Sequence, residues 1–403
     1  MNKKKIINDP IYGFINVPYD IVFDLMEHPW FQRLRRITQV GLTQLTYPGA
    51  THTRFHHALG AMHLMSQSIG LLRGKNVTIS EEEACAACMA ILLHDIGHGP
   101  FSHALEGQLL KVSHEDLSLE IMKRLNQEFD GALDLAMEIF TGDYPRHFLH
   151  QLVSGELDVD RLDYLGRDSF YTGVVEGKIG TNRIIKMMNV VDDELVIEEK
   201  GLYSIEKFLM ARKIMYWQVY MHKTVLAVEK MMISAVSRMR MLIRKHGIPD
   251  CAYPFHRLLS GDDSLELFLT LDDSDVIQAL KTHAVFDDPL LSYLSEGILH
   301  RKLFRSQLST RPFGEEEPDR ISRQIQKSLG IDEDTARQLI FSGTETTRFY
   351  DWKPNQIHFL MKDGRTRSFE EVSDLGETRH LTTKYYLVYP KVVETNHDLS
   401  LYS

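Results

Sequence analysis

The sequence predicts a mainly α protein, with a helical lobe over residues 1–247 and a smaller mixed α/β lobe over 248–403. Three observations carry this. Ser80-Glu81-Glu82-Glu83 is a helix start followed by ten apolar residues. A long helical run rich in Met and aromatics extends over 205–245 and stops at Gly247 and Pro249. Near the C-terminus, two β-rich segments flank Asp363-Gly364, the signature of a hairpin turn.

The elements follow in order. Residues 58–65 read as a helix with His56 and His57 at its start. Ser80 caps the next helix, and Glu83 completes a capping box. Residues 84–93 are apolar nearly all round, so that helix is buried. Gly97, Gly99 and Pro100 turn the chain after it. In 156–168, helical spacing sets Asp160, Asp163 and Tyr164 on one face with Arg167 and Asp168. Leu195-Val196-Ile197 and Leu202-Tyr203 suggest a small hairpin. After the long helix come short helices over 275–281, 289–294, 319–329 and 334–340, each with an acidic residue at or just before its start. Residues 357–361 and 366–369 form the Asp-Gly hairpin, with 384–389 as its partner strand.

Composition narrows the function classes. The hydrophobic share of 43% and charged share of 25% are those of an ordinary globular protein. A net charge of −10 argues against a general nucleic-acid surface. Three cysteines give no disulfide framework, which fits the cytoplasm. Lys3-Lys4-Lys5 is followed only by Ile6-Ile7 before Asn8-Asp9-Pro10, so neither a signal peptide nor a membrane span is expected.

The most informative run is Leu93-His94-Asp95-Ile96-Gly97-His98-Gly99-Pro100-Phe101-Ser102-His103. An imidazole and a carboxylate stand side by side where a rigid helix ends. Such nitrogen and oxygen ligands suit a divalent metal that activates water or polarises a phosphoryl oxygen. Ten of the nineteen histidines fall between His52 and His150, which sets this pair apart from an ordinary surface couple. Cys85-Ala86-Ala87-Cys88 has no second cysteine pair and sits among alanines, so it reads as packing. His94 and His98 have zinc-protease spacing, but Asp95 replaces the required Glu and Gly97 interrupts the helix.

Thr51-His52-Thr53-Arg54-Phe55-His56-His57, the His94–His103 run, His114-Glu115 and Asp158-Val159-Asp160-Arg161-Leu162-Asp163-Tyr164 together resemble the HD-domain phosphohydrolases, in particular the SAM-and-HD-domain type of deoxynucleoside triphosphate triphosphohydrolase. The resemblance runs from about residue 10 to about residue 230. It implies an HD-domain catalytic lobe with one divalent metal (Mn, Fe, Mg, Co, Ni or Zn) on His57, His94, Asp95 and Asp160. It implies triphosphate contacts from Arg54, Arg161 and Arg212. Gln39 would bind the sugar 3′-hydroxyl, Val40 would pack near C2′, and Tyr164, Asp168 and Tyr220 would contact the sugar. His103 and His98 are the candidates to protonate the leaving 5′-oxygen, supported by His114 and Glu115. Two positions depart from the pattern. Met221 stands where the dNTP enzymes carry a glutamine near the base, and His56 where they carry a glutamate.

The expected function is therefore a cytoplasmic, metal-dependent nucleotide phosphohydrolase that splits dNTPs into deoxynucleoside and triphosphate, as a homo-oligomer (dimer or tetramer) without a membrane or nucleic-acid partner. The rivals are an HD phosphomonoesterase, a cyclic-nucleotide phosphodiesterase and a nucleotide sensor with little turnover. A pure sensor has no need for His98, His103 and a metal together.

Overall fold

A computed structural model describes residues 5–247, 253–285, 288–347, 356–375 and 382–393. Contacts divide the chain into two compact units that interleave along the sequence. The first unit takes residues 1–218, 264–273 and 348–380, and the second takes 219–263, 274–347 and 381–403. This differs from a single boundary after residue 247. The cause is strand pairing, which brings a late segment back onto the first unit.

The first unit is built on helices Arg54–Gly74, Glu81–Leu93 and Val159–Thr172. Arg54–Gly74 packs against both of the others. Its buried residues, among them Ala58, Ala61, Met62, Leu64 and Met65, meet a second helix in which Ala86 to Leu93 are all buried. Full burial of one Leu or Met side chain is worth about 1.5–3 kcal/mol, so this all-round apolar helix belongs at the core. Gly60 sets how near Val159–Thr172 approaches. A Cβ there would lie 1.9 Å from Asp163 Oδ1 and 2.3 Å from Arg167 Nη2.

Strands Met188–Val191 and Glu194–Glu198 form a hairpin, with Val191 opposite Glu194. Its turn is Asp192-Asp193, both at positive φ (52° and 58°), a conformation that Asp tolerates better than most residues. The expected second strand at Leu202-Tyr203 is instead the start of helix Leu202–Met215, because Glu199–Gly201 tightens into a 3-10 turn. Glu194–Glu198 then pairs in parallel with His358–Leu360, which pairs antiparallel with Thr366–Ser368. The Asp-Gly hairpin thus forms as expected, with Gly364 at φ 81°, but on the first unit.

In the second unit, Thr382–Tyr389 lies between Arg305–Ser309 and Phe341–Thr347 and is antiparallel to both. It is not the partner of the Asp-Gly hairpin. Its run Tyr386-Leu387-Val388-Tyr389 is buried, which suits a central strand. Helix Glu317–Leu329 matches its expected position, the expected 289–294 helix is the longer Pro289–Leu299, and the expected 275–281 helix lies within Asp273–His283. The expected 334–340 helix is the shorter Glu333–Arg337.

The long 205–245 helix is interrupted. Leu202–Met215 passes into a π-helical turn over Tyr216–Tyr220, and Lys223–His246 restarts with the His222 ring accepting from Thr224 N at 3.2 Å. π-turns inside helices occur frequently at functional sites. Gly247 ends the second segment at φ 84°, whereas Pro249 lies outside the described residues. Among the described residues, no helix is long and apolar enough to cross a membrane.

Candidate metal and phosphate site

The His94-Asp95 pair is delivered by a helix with a capping box at its start. Ser80 Oγ accepts from Glu83 N at 3.1 Å, and Glu83 Oε2 accepts from Ser80 N at 2.7 Å. At the other end the chain leaves the helix at His94 and is pinned by Ser118. The Ser118 hydroxyl donates to His94 O (2.7 Å) and accepts from Gly97 N (3.0 Å). Gly97 is required by space, since a Cβ there would sit 2.3 Å from His114 O. Arg33, buried, donates to the carbonyls of Ile96 (3.0 Å) and His98 (2.9 Å).

His57, His94 and Asp160 converge. His57 Nε2 is 3.0 Å from Asp160 Oδ1 and 3.4 Å from His94 Nε2, and His94 Nε2 is 3.6 Å from Asp160 Oδ1. Ligands bound at 2.0–2.2 Å stand roughly 2.8–3.6 Å apart, depending on geometry, so this spacing fits one ion. Asp95 lies beside them, 3.3 Å from His94 Nε2 and 3.7 Å from His57 Nε2, and also touches Arg54. The second ring nitrogens are occupied elsewhere. His57 Nδ1 meets Asp163 Oδ2 at 2.8 Å, and His94 Nδ1 donates to Ile91 O at 2.6 Å. Such outer partners fix the ring orientation and turn the Nε2 atoms inward, as metal-binding histidines require.

The electrostatics agree. Burial alone would lower His57, but its hydrogen bonds to Asp160 and Asp163 outweigh this and raise it to about 10. Burial would raise Asp160, yet His57 and His94 hold it well below the usual carboxylate range. Burial also opposes ionisation of Asp163, which Arg167 and His57 nonetheless bring to about 2. Without metal, the centre is therefore a proton held between carboxylates. A divalent cation can take that proton's place.

Asp163 extends into a buried network. It accepts from Arg167 Nε and Nη2, both at 2.9 Å, and Arg167 Nη1 donates to Asp9 at 2.8 Å. Asp163 was visible as a helical neighbour of Asp160, but no sequence signal links Asp9 to it.

Arg54 is buried and donates to Asp95 Oδ2 at 2.6 Å and to Ser102 Oγ at 2.9 Å. His98 Nε2 stands 3.3 Å from Asp95 Oδ1. Burial and then the Arg54 charge lower His98 well below the ordinary histidine range, so it is neutral at working pH. Its ring stacks on His114, with centroids 4.0 Å apart and planes 16° from parallel. The carboxylate that holds His114 is Glu106, at 2.5 Å from Nδ1; Glu115 is more exposed and 3.6 Å from Nε2. The sequence reading did not single out Glu106. His103 belongs to the short helix Ser102–Leu105, but its side chain lies outside the described residues.

Arg161 bonds to Asp158, the N-cap of helix Val159–Thr172. Arg212 donates to Glu156 Oε2 at 2.9 Å. Burial raises the Tyr164 hydroxyl to about 12, against Arg161 and Arg212 and aided by Asp160 and Asp158. These groups therefore share one electrostatic neighbourhood with a member of the convergent set.

Gln39 and Val40 are buried. Gln39 N bonds to His52 O at 3.0 Å, and Thr38 bridges to Thr53. The Gln39 Oε1 atom is buried with no hydrogen-bond partner among the described residues. Asp168 pairs with His52 Nε2 at 2.7 Å, and the His52 ring stacks on Tyr171 at 4.5 Å. His56 fills the N3 position of a capping box, its Nδ1 accepting from Thr53 N at 3.2 Å. A helix-starting role thus accounts for the acceptor at that position, glutamate or histidine alike. Tyr220 closes the π-turn and, with Met221, belongs to the second unit.

Residues 54–168 match the HD domain, and residues 179–248 match the HD associated region. An uncharacterised protein of Bacillus subtilis, YwfO, is 30% identical over 97% of this chain and 93% of its own length. The human deoxynucleoside triphosphate triphosphohydrolase SAMHD1 is 28% identical over 81% of this chain, which spans only 58% of that protein. The crystal structure of a phosphohydrolase from Bacteroides thetaiotaomicron is 47% identical, covers 96% of this chain and 100% of its own, and gives a TM-score of 0.92. A buried helix that ends in His94-Asp95, with His57 and Asp160 brought beside it by helices crossing at Gly60, is the arrangement these matches share a fold with, and this chain belongs to the HD-domain metal-dependent phosphohydrolases.

Proposed function

We propose that the protein hydrolyses deoxynucleoside triphosphates to deoxynucleoside and intact triphosphate. What supports this is Arg54 bonded to Asp95 beside the convergent centre, with Arg161 and Arg212 acting on Tyr164 alongside Asp160. A chain of three phosphates needs several cations along it, whereas a phosphomonoester or a cyclic diester needs fewer. The unpartnered Gln39 oxygen adds a buried acceptor of the kind that a sugar hydroxyl would satisfy. The likeness to human SAMHD1, a deoxynucleoside triphosphate triphosphohydrolase, points the same way.

On this reading His57, His94 and Asp160, with Asp95 beside them, hold one divalent ion, which when bound supplies Lewis acidity at the α-phosphoryl group. Arg54, Arg161 and Arg212 bind the phosphate oxygens. Gln39, Tyr164, Asp168 and Tyr220 orient the sugar, and Val40 crowds C2′. A proton must reach the departing 5′-oxygen. Neutral His98 is poorly suited to give one unaided, so His103 is assigned that role, with His114 held by Glu106 and flanked by Glu115 as its support. Assembly as a homo-oligomer and a cytoplasmic location belong to the same reading.

A panel of dNTPs, NTPs, cyclic nucleotides and nucleoside monophosphates, each with Mn, Mg, Fe, Co, Ni or Zn, tests it by product chromatography. Triphosphate plus deoxynucleoside supports the proposal. Orthophosphate or a linearised nucleotide as the main product replaces it with the monoesterase or cyclic-diesterase reading.

A further inference from the structure

Two arginines of the candidate phosphate site are held by carboxylates of the chain itself, in different ways. Asp158 is committed to the helix start, where it accepts from Arg161 N at 2.7 Å and from Gly155 N at 3.0 Å. Its bond to the Arg161 side chain comes with that duty. Glu156 caps nothing. Among the described residues its side chain makes a single hydrogen bond, to Arg212 Nη1 at 2.9 Å, and the Arg212 side chain makes no other.

The pair is placed to open. The Arg212 side chain is 30% exposed and that of Glu156 is 12% exposed. A one-toothed, partly exposed ion pair contributes little, whereas a guanidinium can grip phosphate oxygens with two parallel bonds. Glu156 also acts on Arg161, together with Asp158 and Asp160. Glu156 and Asp158 thus already engage the two arginines that an incoming anion must win.

We propose that Glu156 is a specificity-determining counter-ion: it holds Arg212 in the ligand-free protein and must release it to a phosphate chain. A ligand with one phosphate offers too little to replace this contact and is repelled by the carboxylate that stays. A triphosphate supplies several charge-assisted bonds and opens the pair. The proposal rests on the triphosphohydrolase reading only in taking Arg212 to face the phosphates.

The test is calorimetric binding of inorganic triphosphate and of orthophosphate to the full chain. The proteins are wild type, Glu156→Gln, Arg212→Gln and the double variant, with Glu156→Ala as a second removal of the charge. Glu156→Gln is expected to bind triphosphate roughly fivefold more tightly and to bind orthophosphate more tightly as well, narrowing the preference between them. Arg212→Gln is expected to weaken triphosphate binding, and most of the gain from Glu156→Gln to vanish in that background, leaving only the smaller relief of charge repulsion. Unchanged or weaker triphosphate binding by both Glu156 variants overturns the proposal and makes Glu156 a strut that positions Arg212. A gain that persists undiminished without Arg212 overturns it too. If dNTPs yield orthophosphate instead of triphosphate, the substrate reading alone falls, because these binding measurements still decide the role of Glu156.

Discussion

Metal binding should expel a proton, and the structure says from where. His57 is buried between Asp160 at 3.0 Å and Asp163 at 2.8 Å, and those carboxylates raise it to about 10 against the effect of burial. At pH 7 its Nε2 therefore carries a proton that an incoming cation must displace. At three pH units below that value, displacement costs about 4 kcal/mol, or roughly a thousandfold in apparent affinity. Affinity should rise about tenfold per pH unit between pH 7 and 9, and about one proton should leave per ion. His94 is raised as well, the Asp95 charge and the Asp160 contacts overcoming burial, so it opposes the cation in the same direction at low pH. The assay is calorimetric titration of Mn into metal-free protein, in buffers of equal pH but different ionisation enthalpy. Release well below about half a proton, with affinity flat from pH 7 to 9, would refute the reasoning.

The same histidine governs metal-free stability. Its folded value exceeds the ordinary value near 6.5, so its contribution is complete below about pH 6.5 and is lost as pH rises to about 10, a span worth on the order of 4–5 kcal/mol. Thermal melting should fall over that range in metal-free protein and much less in the metal-bound form; equal slopes would count against it. Gly60→Ala sets a methyl group 1.9 Å from Asp163 Oδ1 and should cost about 1–3 kcal/mol in denaturant unfolding while weakening metal binding. Wild-type stability and metal affinity in this variant would mean that the helix crossing yields without cost. Arg54→Ala, at a buried cation on Asp95, should reduce turnover of triphosphate substrates far more than that of a singly charged phosphodiester. Equal losses would make Arg54 a support for Asp95 alone.

Much of the site was legible because its chemistry is local. Ser80 and Glu83 announce a helix, the apolar run announces its burial, and His94-Asp95 marks its end. Asp160 was reachable because helical spacing puts it on a shared face with Asp163. The supporting contacts were not legible, since they join residues far apart in sequence. Asp9 meets Arg167 across 158 positions, and Arg33 meets the backbone at Ile96 across 63. Glu106 was missed because Glu115, beside His114, looked the nearer partner, while a short turn places Glu106 closer. The π-turn at Tyr216–Tyr220 keeps helical composition and so left no mark. The role of Thr382–Tyr389 was also hidden: a strand pattern tells which residues are buried, not which neighbours cover them.

The proposed reaction stands on water attack at the α-phosphorus, with departure of the 5′-oxygen and release of triphosphate intact. Hydrolysis of a dNTP in ¹⁸O-enriched water with Mn, followed by ³¹P NMR and mass spectrometry, tests it directly. Inorganic triphosphate with one labelled oxygen on a terminal phosphorus is expected, together with an unlabelled deoxynucleoside. Orthophosphate, pyrophosphate or deoxynucleoside monophosphate as the product, or label in the nucleoside, would contradict it.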